Sequence, residues 1–299
     1  MKILITGSSG FLGKVLLNHF AGNYSEVFTL NRYDGSYKCD LAITVPDITE
    51  KVDLVIHNAG KAHFTPSSKS ESEEFNLVNV IGVKNLLKGL EISGKPNMFV
   101  FISSVSVYGV ESGINLDENT KLEAKDSYGL SKIQAENIIE QWCNKNQVIC
   151  TILRLPLVVG KNPPGNLGKM IRSISKGYYF NISGGTSRKS MVLATDVAKN
   201  VLQAARIGGT YNLTDGFHPS FFDLSNLISA QLKKNYLLNV PYNVGKIFAF
   251  FGDFFGKDFP INSIKFKKIT STLTFDDSKA RKSFGWNPIS VLSEFKINE

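Results

Sequence analysis

Tyr128 and Lys132 are four residues apart at the start of a segment, 127–145, whose apolar spacing predicts a helix. Residues so spaced share a helical face, with about 5–6 Å between their Cβ atoms. A free phenol titrates near about 10, so proton exchange near neutral pH needs a fall of about three units, or about 4 kcal/mol. One cation at about 4 Å, at an effective dielectric near 20, is worth about 4 kcal/mol. The Lys132 ammonium therefore suits Tyr128 to act as a general acid or base at an alcohol or carbonyl oxygen. Ser103 and Ser104 follow an apolar run, 98–102, that reads as a buried strand. Ligands of parallel sheets gather outside such carboxyl ends, where a hydroxyl can hold the reacting oxygen beside the phenol. Each signal alone is weak, because Tyr-x-x-x-Lys also arises by chance on solvated helices and serines often do no more than cap strands.

A second constellation gives the pair its meaning. The chain opens with an apolar strand pattern, 2–6, that runs into Gly7-Ser8-Ser9-Gly10-Phe11-Leu12-Gly13 and then into an amphipathic helix pattern, 11–21. Gly7 permits the sharp turn, Gly10 lets the backbone approach a pyrophosphate, and Gly13 lets the helix lie close to the sheet. The helix N-terminus then offers free amides and a positive dipole end to an anion. This context points to a dinucleotide, with Gly7, Ser9, Gly10, Phe11, Leu12 and Gly13 around its phosphates. The next strand, 26–30, is followed by Asn31 and Arg32 rather than by a carboxylate. A carboxylate there would select the ribose 2′-hydroxyl of NAD, whereas Arg32 can pair with a 2′-phosphate. NADP is the preferred expectation, with NAD the alternative. Asp40 and Leu41, after a short strand pattern, are expected near the adenine.

These groups need a frame. Strand patterns at 2–6, 26–30, 53–57, 98–103 and 148–155 alternate with helix patterns at 11–21, 71–92 and 127–145. Repeated βαβ units imply an α/β fold with a doubly wound parallel Rossmann sheet. Beyond Arg154 the pattern becomes irregular. We expect a dinucleotide-binding domain over 1–160, rejoined by 191–213, and a small C-terminal substrate-binding lobe from 161–190 and 214–299. Helices are expected there at 221–232 and 244–255. The aromatic Phe248, Phe250, Phe251, Phe254 and Phe255 are expected to pack that lobe, a membrane-surface role being the sharper alternative.

The bulk properties exclude several classes. With 299 residues, 42% of them hydrophobic, a sizeable core is available. The net charge of +8 suits an anionic ligand. No basic run interleaved with aromatics points to nucleic acid. Cys39, Cys143 and Cys150 lack metal or redox spacing, and no metal is expected. No apolar run is long enough to span a bilayer, and no leader pattern is present, so membrane insertion is not expected and a cytoplasmic location is.

Taken together, the motifs resemble the extended short-chain dehydrogenase/reductase family over nearly the whole chain. TGSSGFLG is similar to its glycine turn. Asp53-Leu-Val-Ile-His57-Asn-Ala-Gly60 is similar to its fourth-strand motif, with Gly60 where an alanine is usual, and implies cofactor contacts from Asn58, Ala59 and Gly60. Phe101-Ile-Ser-Ser-Val-Ser-Val-Tyr-Gly109 resembles its serine strand, and by that match Ser104 carries the catalytic hydroxyl with Ser106 beside the substrate. Asn79 matches the asparagine that supports the active site, and Lys132 would hold the cofactor ribose. Arg154 with Val158-Val-Gly160, and 273–288 with Gly285-Trp-Asn-Pro288, resemble further family signatures.

The resemblance implies hydride chemistry at C4 of a nucleotide-diphosphate sugar, as in 4-epimerases and 4-ketoreductases. Dehydratases place an acid pair after the catalytic hydroxyl, and Val105 and Ser106 cannot replace it. Asn166 and Leu167 resemble the segment that binds the substrate diphosphate, and Arg188 and Lys189 the basic pair that clamps it. Acetamido-deoxy sugars of surface-polysaccharide pathways are the implied substrates. Relatives of this kind dimerise through helices equivalent to 71–92 and 127–145, so a homodimer is an expectation. The alternatives are a reductase of a non-sugar carbonyl and a non-catalytic NADP-binding regulatory protein. The phosphate-seeking residues argue against the first and the intact Tyr128/Lys132 pair against the second.

Overall fold

The strands that open the chain are apolar without alternation because both faces of the sheet they form are covered. The computed structural model describes residues 1–24, 26–62, 66, 68–234, 237–254 and 261–297. β1 (Ile3–Thr6), α1 (Phe11–Ala21), β2 (Val27–Asn31), β3 (Tyr37–Lys38) and β4 (Leu54–His57) form the first half of the sheet. There follow α2 (Lys69–Asn76), a π-helical turn (Leu77–Ile81), α3 (Gly82–Ser93), β5 (Met98–Ser104), β6 (Gly113–Leu116), α4 (Ser127–Asn146) and β7 (Ile149–Leu155). After β8 (Leu157–Val159), α5 (Gly165–Ser175), β9 (Phe180–Ile182) and β10 (Met191–Leu193), the chain returns to the sheet through α6 (Ala194–Ile207) and β11 (Gly209–Asn212). It closes with α7 (Phe221–Gln231), β12 (Leu238–Val240), α8 (Tyr242–Phe254), α9 (Ser263–Thr270), β13 (Leu273–Phe275), α10 (Ser278–Phe284) and α11 (Val291–Glu294).

Seven strands make one parallel sheet in the order β11-β7-β5-β4-β1-β2-β3. Successive side chains of β1 serve opposite faces. Ile3 and Ile5 join Leu12, Leu16 and Phe20 of α1 and Val197 and Val201 of α6. Leu4 joins Leu86 and Leu90 of α3 and Ile139 and Trp142 of α4. The strand order reverses between β1 and β4, which opens a crevice at their carboxyl ends. The remaining segments carry small parallel pairs, β8 with β10, β9 with β12 and β6 with β13.

Two expectations need correction. The helix expected over 71–92 is not uniform: between α2 and α3 it widens by a π turn, Leu77–Ile81. Such a turn admits one extra residue and re-aims its side chains, and Asn79 lies within it. The aromatic residues of α8 do not pack inward. That helix buries Gly245, Ala249 and Gly252, whereas Phe248, Phe250, Phe251 and Phe254 are exposed. A methyl group on Gly245 would already lie 3.1 Å from both Ile182 and Phe266, so the helix sits too close to its neighbours for aromatic rings on that side. Phe255 lies outside the described residues.

Candidate active site

At the first crevice wall, Gly7 adopts φ +66°, and a Cβ there would lie 2.7 Å from the Ala59 Cα. Only glycine fits both the conformation and the space. A Cβ on Gly13 would come within 2.0 Å of the Gly7 carbonyl oxygen. Gly10 is the N-cap of α1 and brings no side chain to cap it, so the first-turn amides stay available. The neighbouring loop holds this turn in place. Asn58 Nδ2 donates to the Gly7 carbonyl (3.1 Å), and the Ala59 amide donates to Thr6 Oγ1 (3.1 Å). Thr6 Oγ1 in turn lies 2.7 Å from His57 Nδ1. Burial first, and then the Lys132 charge, push the His57 imidazole down to about 3, so it is neutral at working pH.

Ser9 is exposed at the tip of the turn, while Leu12 is buried in the core beneath it and offers only its backbone. Phe11 is half-buried with its ring against Gly160. Asn31 closes the far side: its Nδ2 donates to Ser8 Oγ (2.8 Å), and its buried Oδ1 has no partner among the described residues. Arg32 is exposed, with its guanidinium 5.5 Å from the Tyr33 ring centre. Asp40 accepts from the Ala42 amide, and the Leu41 carbonyl accepts from Asn85, so both are engaged in fixing their own loop.

The second group forms where α4 crosses the end of β5. The Asp126 side chain caps α4 through the Gly129 amide (3.0 Å). Gly129 is required there because a Cβ would lie 2.8 Å from the Ser106 carbonyl. Three consecutive residues of β5 each meet one member of the stripe 128/132/136. Ser104 faces Tyr128 and pulls its phenol down. Lys132 Nζ donates to the Ile102 carbonyl (2.9 Å) and lies 4.5 Å from the centre of the Phe101 ring. Ser103 Oγ donates to Glu136. The Ser106 amide donates to Ser104 Oγ (3.2 Å), and the Ser104 hydroxyl donates to Ser106 Oγ (3.1 Å).

The electrostatics differ from the expectation based on spacing. Burial holds the Tyr128 phenol above its ordinary value; the Ser104 hydroxyl pulls it down and Asp126 pushes it up. The pull expected from Lys132 is not seen, for Lys132 is itself drawn below the value of the phenol, and its ammonium is directed to Ile102 and Phe101. Burial also pulls Lys132 down to about 8, against the opposing charge of Glu136.

Asn79 is buried and fully engaged. It accepts from the Lys61 amide (2.7 Å) and donates to the Lys61 carbonyl (3.1 Å) and to Ser131 Oγ (2.9 Å). Ser131 donates to the Tyr128 carbonyl (2.7 Å), so Asn79 tethers the helix turn that carries the phenol. Gly60 joins the same group: a Cβ there would lie 3.1 Å from Asn79 Oδ1 and 3.5 Å from Lys132 Nζ.

The expected substrate residues lie on other segments. Asn166 is exposed on the first turn of α5, whereas the Leu167 side chain is buried among Val159, Met170 and Ile174. Arg188 and Lys189 form bridges to Ser220 and Leu273. The Arg188 guanidinium donates to the His218 carbonyl (3.1 Å). Burial, and then Lys268, push Lys189 down to about 8, while Glu111 pushes it up.

Residue-by-residue reading missed the support behind β5. Glu136 and Arg154 form a buried ion pair (2.8 Å). Arg154 also donates to the Tyr108 hydroxyl (3.2 Å), which donates to Asn212 (2.7 Å). The position of Glu136, one turn beyond Lys132, was the available signal.

With this geometry in hand, the comparisons are specific. The profile of the NAD dependent epimerase/dehydratase family matches residues 3–213. The N-acetyl-alpha-D-glucosaminyl-diphospho-ditrans,octacis-undecaprenol 4-epimerase of Escherichia coli O157:H7 is 27% identical over 302 residues, covering 94% of this chain and 89% of that protein. The UDP-glucose 4-epimerase of Vibrio cholerae is 26% identical, covering 98% and 92%. The structure of Thermotoga maritima UDP-glucose 4-epimerase with UDP-glucose matches with a TM-score of 0.76 at 20% identity, covering 98% of this chain and 95% of that one. RMD from Pseudomonas aeruginosa complexed with NADPH matches with a TM-score of 0.75 at 20% identity, covering 98% and 96%.

Proposed function

Because the chain belongs to the NAD dependent epimerase/dehydratase family, we propose that the Tyr128 group moves the proton in an oxidation–reduction at C4 of a sugar carried on a diphosphate. The Gly7–Gly13 turn fits a nicotinamide dinucleotide on its own chemistry. It has an uncapped helix N-terminus, a tight turn whose Gly7 and Gly13 could carry no Cβ without striking the Ala59 and Gly7 backbone, and an orphaned buried acceptor at Asn31. A bound nicotinamide supplies or accepts the hydride. NADP is favoured over NAD by the exposed Arg32 and the lack of a carboxylate at the end of β2.

The observation that carries the reading is the meeting of Ser104, Tyr128 and Lys132 at one strand end. Ser104 orients the phenol and is positioned to donate to the reacting oxygen. Tyr128 delivers a proton to that oxygen in reduction and takes it in oxidation. Lys132 is still mostly protonated at neutral pH, with a value of about 8, and its ammonium at the Ile102 carbonyl is assigned to hold the ribose of the dinucleotide. Glu136 is held by Arg154 and Ser103 and is not available as an eliminating acid, which fits an epimerase or ketoreductase rather than a dehydratase.

The substrate class rests on Arg188, Lys189, Asn166 and Leu167. Lys189 is half-buried beside Lys268, a pairing that an anionic diphosphate would relieve. The E. coli and V. cholerae relatives share, by their names, a sugar on a diphosphate, carried by undecaprenol in one and by uridine in the other.

The test is a dinucleotide titration followed by a panel of UDP-sugars and lipid-diphosphate sugars. Net loss of reduced cofactor marks a ketoreductase, and isomer formation without loss marks an epimerase. Tyr128→Phe is expected to bind dinucleotide as the wild type does and to lose about 10²–10⁴-fold in turnover. Retained turnover in that variant refutes the assignment.

A further inference from the structure

Helix α8 is apolar on both sides but sorted by size. Gly245, Ala249 and Gly252 face inward. At about 100° per residue, Ile247, Phe250, Phe251 and Phe254 point away from that contact. They are 54–74% exposed, with Phe254 the most. A helix that packs its smallest residues and leaves its phenylalanines in water has a second, apolar surface to satisfy. Ile264 of α9 is exposed as well, at 64%.

The border of this face is basic. Lys246 is exposed on α8, and Lys267 and Lys268 are exposed on the last turn of α9, where Lys267 is paired with Glu111. Asp253, the acid of α8, is occupied by the Ser263 amide and hydroxyl. Lysine is depleted at the core of protein–protein contacts. Phenylalanine on one face with lysine at its edge is instead the pattern of helices that lie in a membrane interface. At 13 residues the helix is about 20 Å long, short of the about 30 Å hydrocarbon core. Among the described residues, no helix is long and apolar enough to cross a membrane.

We propose that α8 and α9 form an interfacial docking surface for an anionic lipid bilayer, with the α8 phenylalanines at the acyl boundary and Lys246 and Lys268 over the headgroups. The surface adjoins the proposed diphosphate residues, since Lys268 is near enough to act on Lys189. A sugar whose diphosphate is anchored in the bilayer would therefore reach the site from the docked face. That consequence, unlike the docking itself, rests on the function proposed above.

The full-length protein should co-sediment with vesicles of equimolar phosphatidylcholine and phosphatidylglycerol, and less with phosphatidylcholine alone. The triple variant Phe250→Ser/Phe251→Ser/Phe254→Ser should lower partitioning at least about tenfold. Lys246→Glu/Lys268→Glu should lower it roughly fivefold per lysine on the anionic vesicles. Dinucleotide binding should stay at the wild-type level in both variants, which reports that they are folded. Failure of the wild type to bind either vesicle, or equal binding by both variants, overturns the proposal. So does a vesicle-independent oligomer that the Phe→Ser variant dissociates, which would make this face a contact between copies. Vesicle binding without turnover of any sugar would defeat the catalytic reading and leave the docking surface intact.

Discussion

Replacing Lys132 by methionine should make the protein more stable while removing its activity. The ammonium is buried, and its value falls from 10.5 to about 8. At about 1.4 kcal/mol per unit, holding that charge inside the fold costs about 3 kcal/mol at pH 7. Methionine fills a similar volume without charge. It forfeits the hydrogen bond to the Ile102 carbonyl, worth about 1 kcal/mol. A net gain of about 1–3 kcal/mol follows, or a rise of about 2–6 °C in Tm for a chain of this size. The sign can be tested by pH. Below about 8 the lysine is protonated in both folded and unfolded chains, and the folded one bears the full penalty. Between about 8 and 10.5 the folded chain loses its proton first, so the penalty shrinks, and above 10.5 it vanishes. Urea denaturation of wild type and variant, without dinucleotide, should show a gap that closes across that window. A variant less stable than wild type at pH 7, or a gap unchanged from pH 7 to 10.5, would refute the argument that the site holds this ammonium at the expense of the fold.

Acid should destabilise the protein through His57. Its folded value of about 3 lies far below the ordinary 6.5, so stability is lost as pH falls below 6.5, by about 2 kcal/mol at pH 5. In His57→Gln, which keeps a partner for Thr6, urea midpoints should fall less steeply over that range. Gly13→Ala should weaken dinucleotide binding at least tenfold and destabilise the fold by about 1–3 kcal/mol, because its Cβ would sit 2.0 Å from the Gly7 carbonyl oxygen. Titration by fluorescence checks the first effect and thermal melting the second, and wild-type values in both would contradict the role given to that glycine.

Contiguity decided what was legible in the sequence. The glycine turn, the strand that precedes it and the helix that follows lie within one continuous stretch, 3–21, and their chemistry depends on local backbone geometry. Tyr128 and Lys132 were legible because helix geometry fixes a shared face. That same geometry does not fix where a four-carbon stem directs its charge, and the Lys132 ammonium lies against Ile102 and Phe101 rather than among the charges acting on the phenol. The π turn around Asn79 was invisible because apolar spacing reports which face is buried and not the hydrogen-bond register. The Glu136–Arg154 pair joins a helix to a strand, and pairing across elements requires their relative register. For α8 the difficulty was different. Its two sides differ in size rather than polarity, so hydropathy could not say which of them faces the core.

The register between β5 and α4 ties stability to chemistry. Ser103 reaches Glu136 and, through it, the buried Arg154, while Ser104 faces the phenol. The Ile102 carbonyl between them and the core receives Lys132. Tyr128, Lys132 and Glu136 follow one another at intervals of four, so a single helix face meets three consecutive strand residues. Sliding α4 by one residue would rotate this stripe away by about 100° and break all three contacts together. The Glu136–Arg154 pair resists that slide, because separating it would strand a buried charge at about 3–5 kcal/mol. A polar network behind the strand thereby holds the helix turn that carries the phenol, which is the positioning the proposed proton transfer requires.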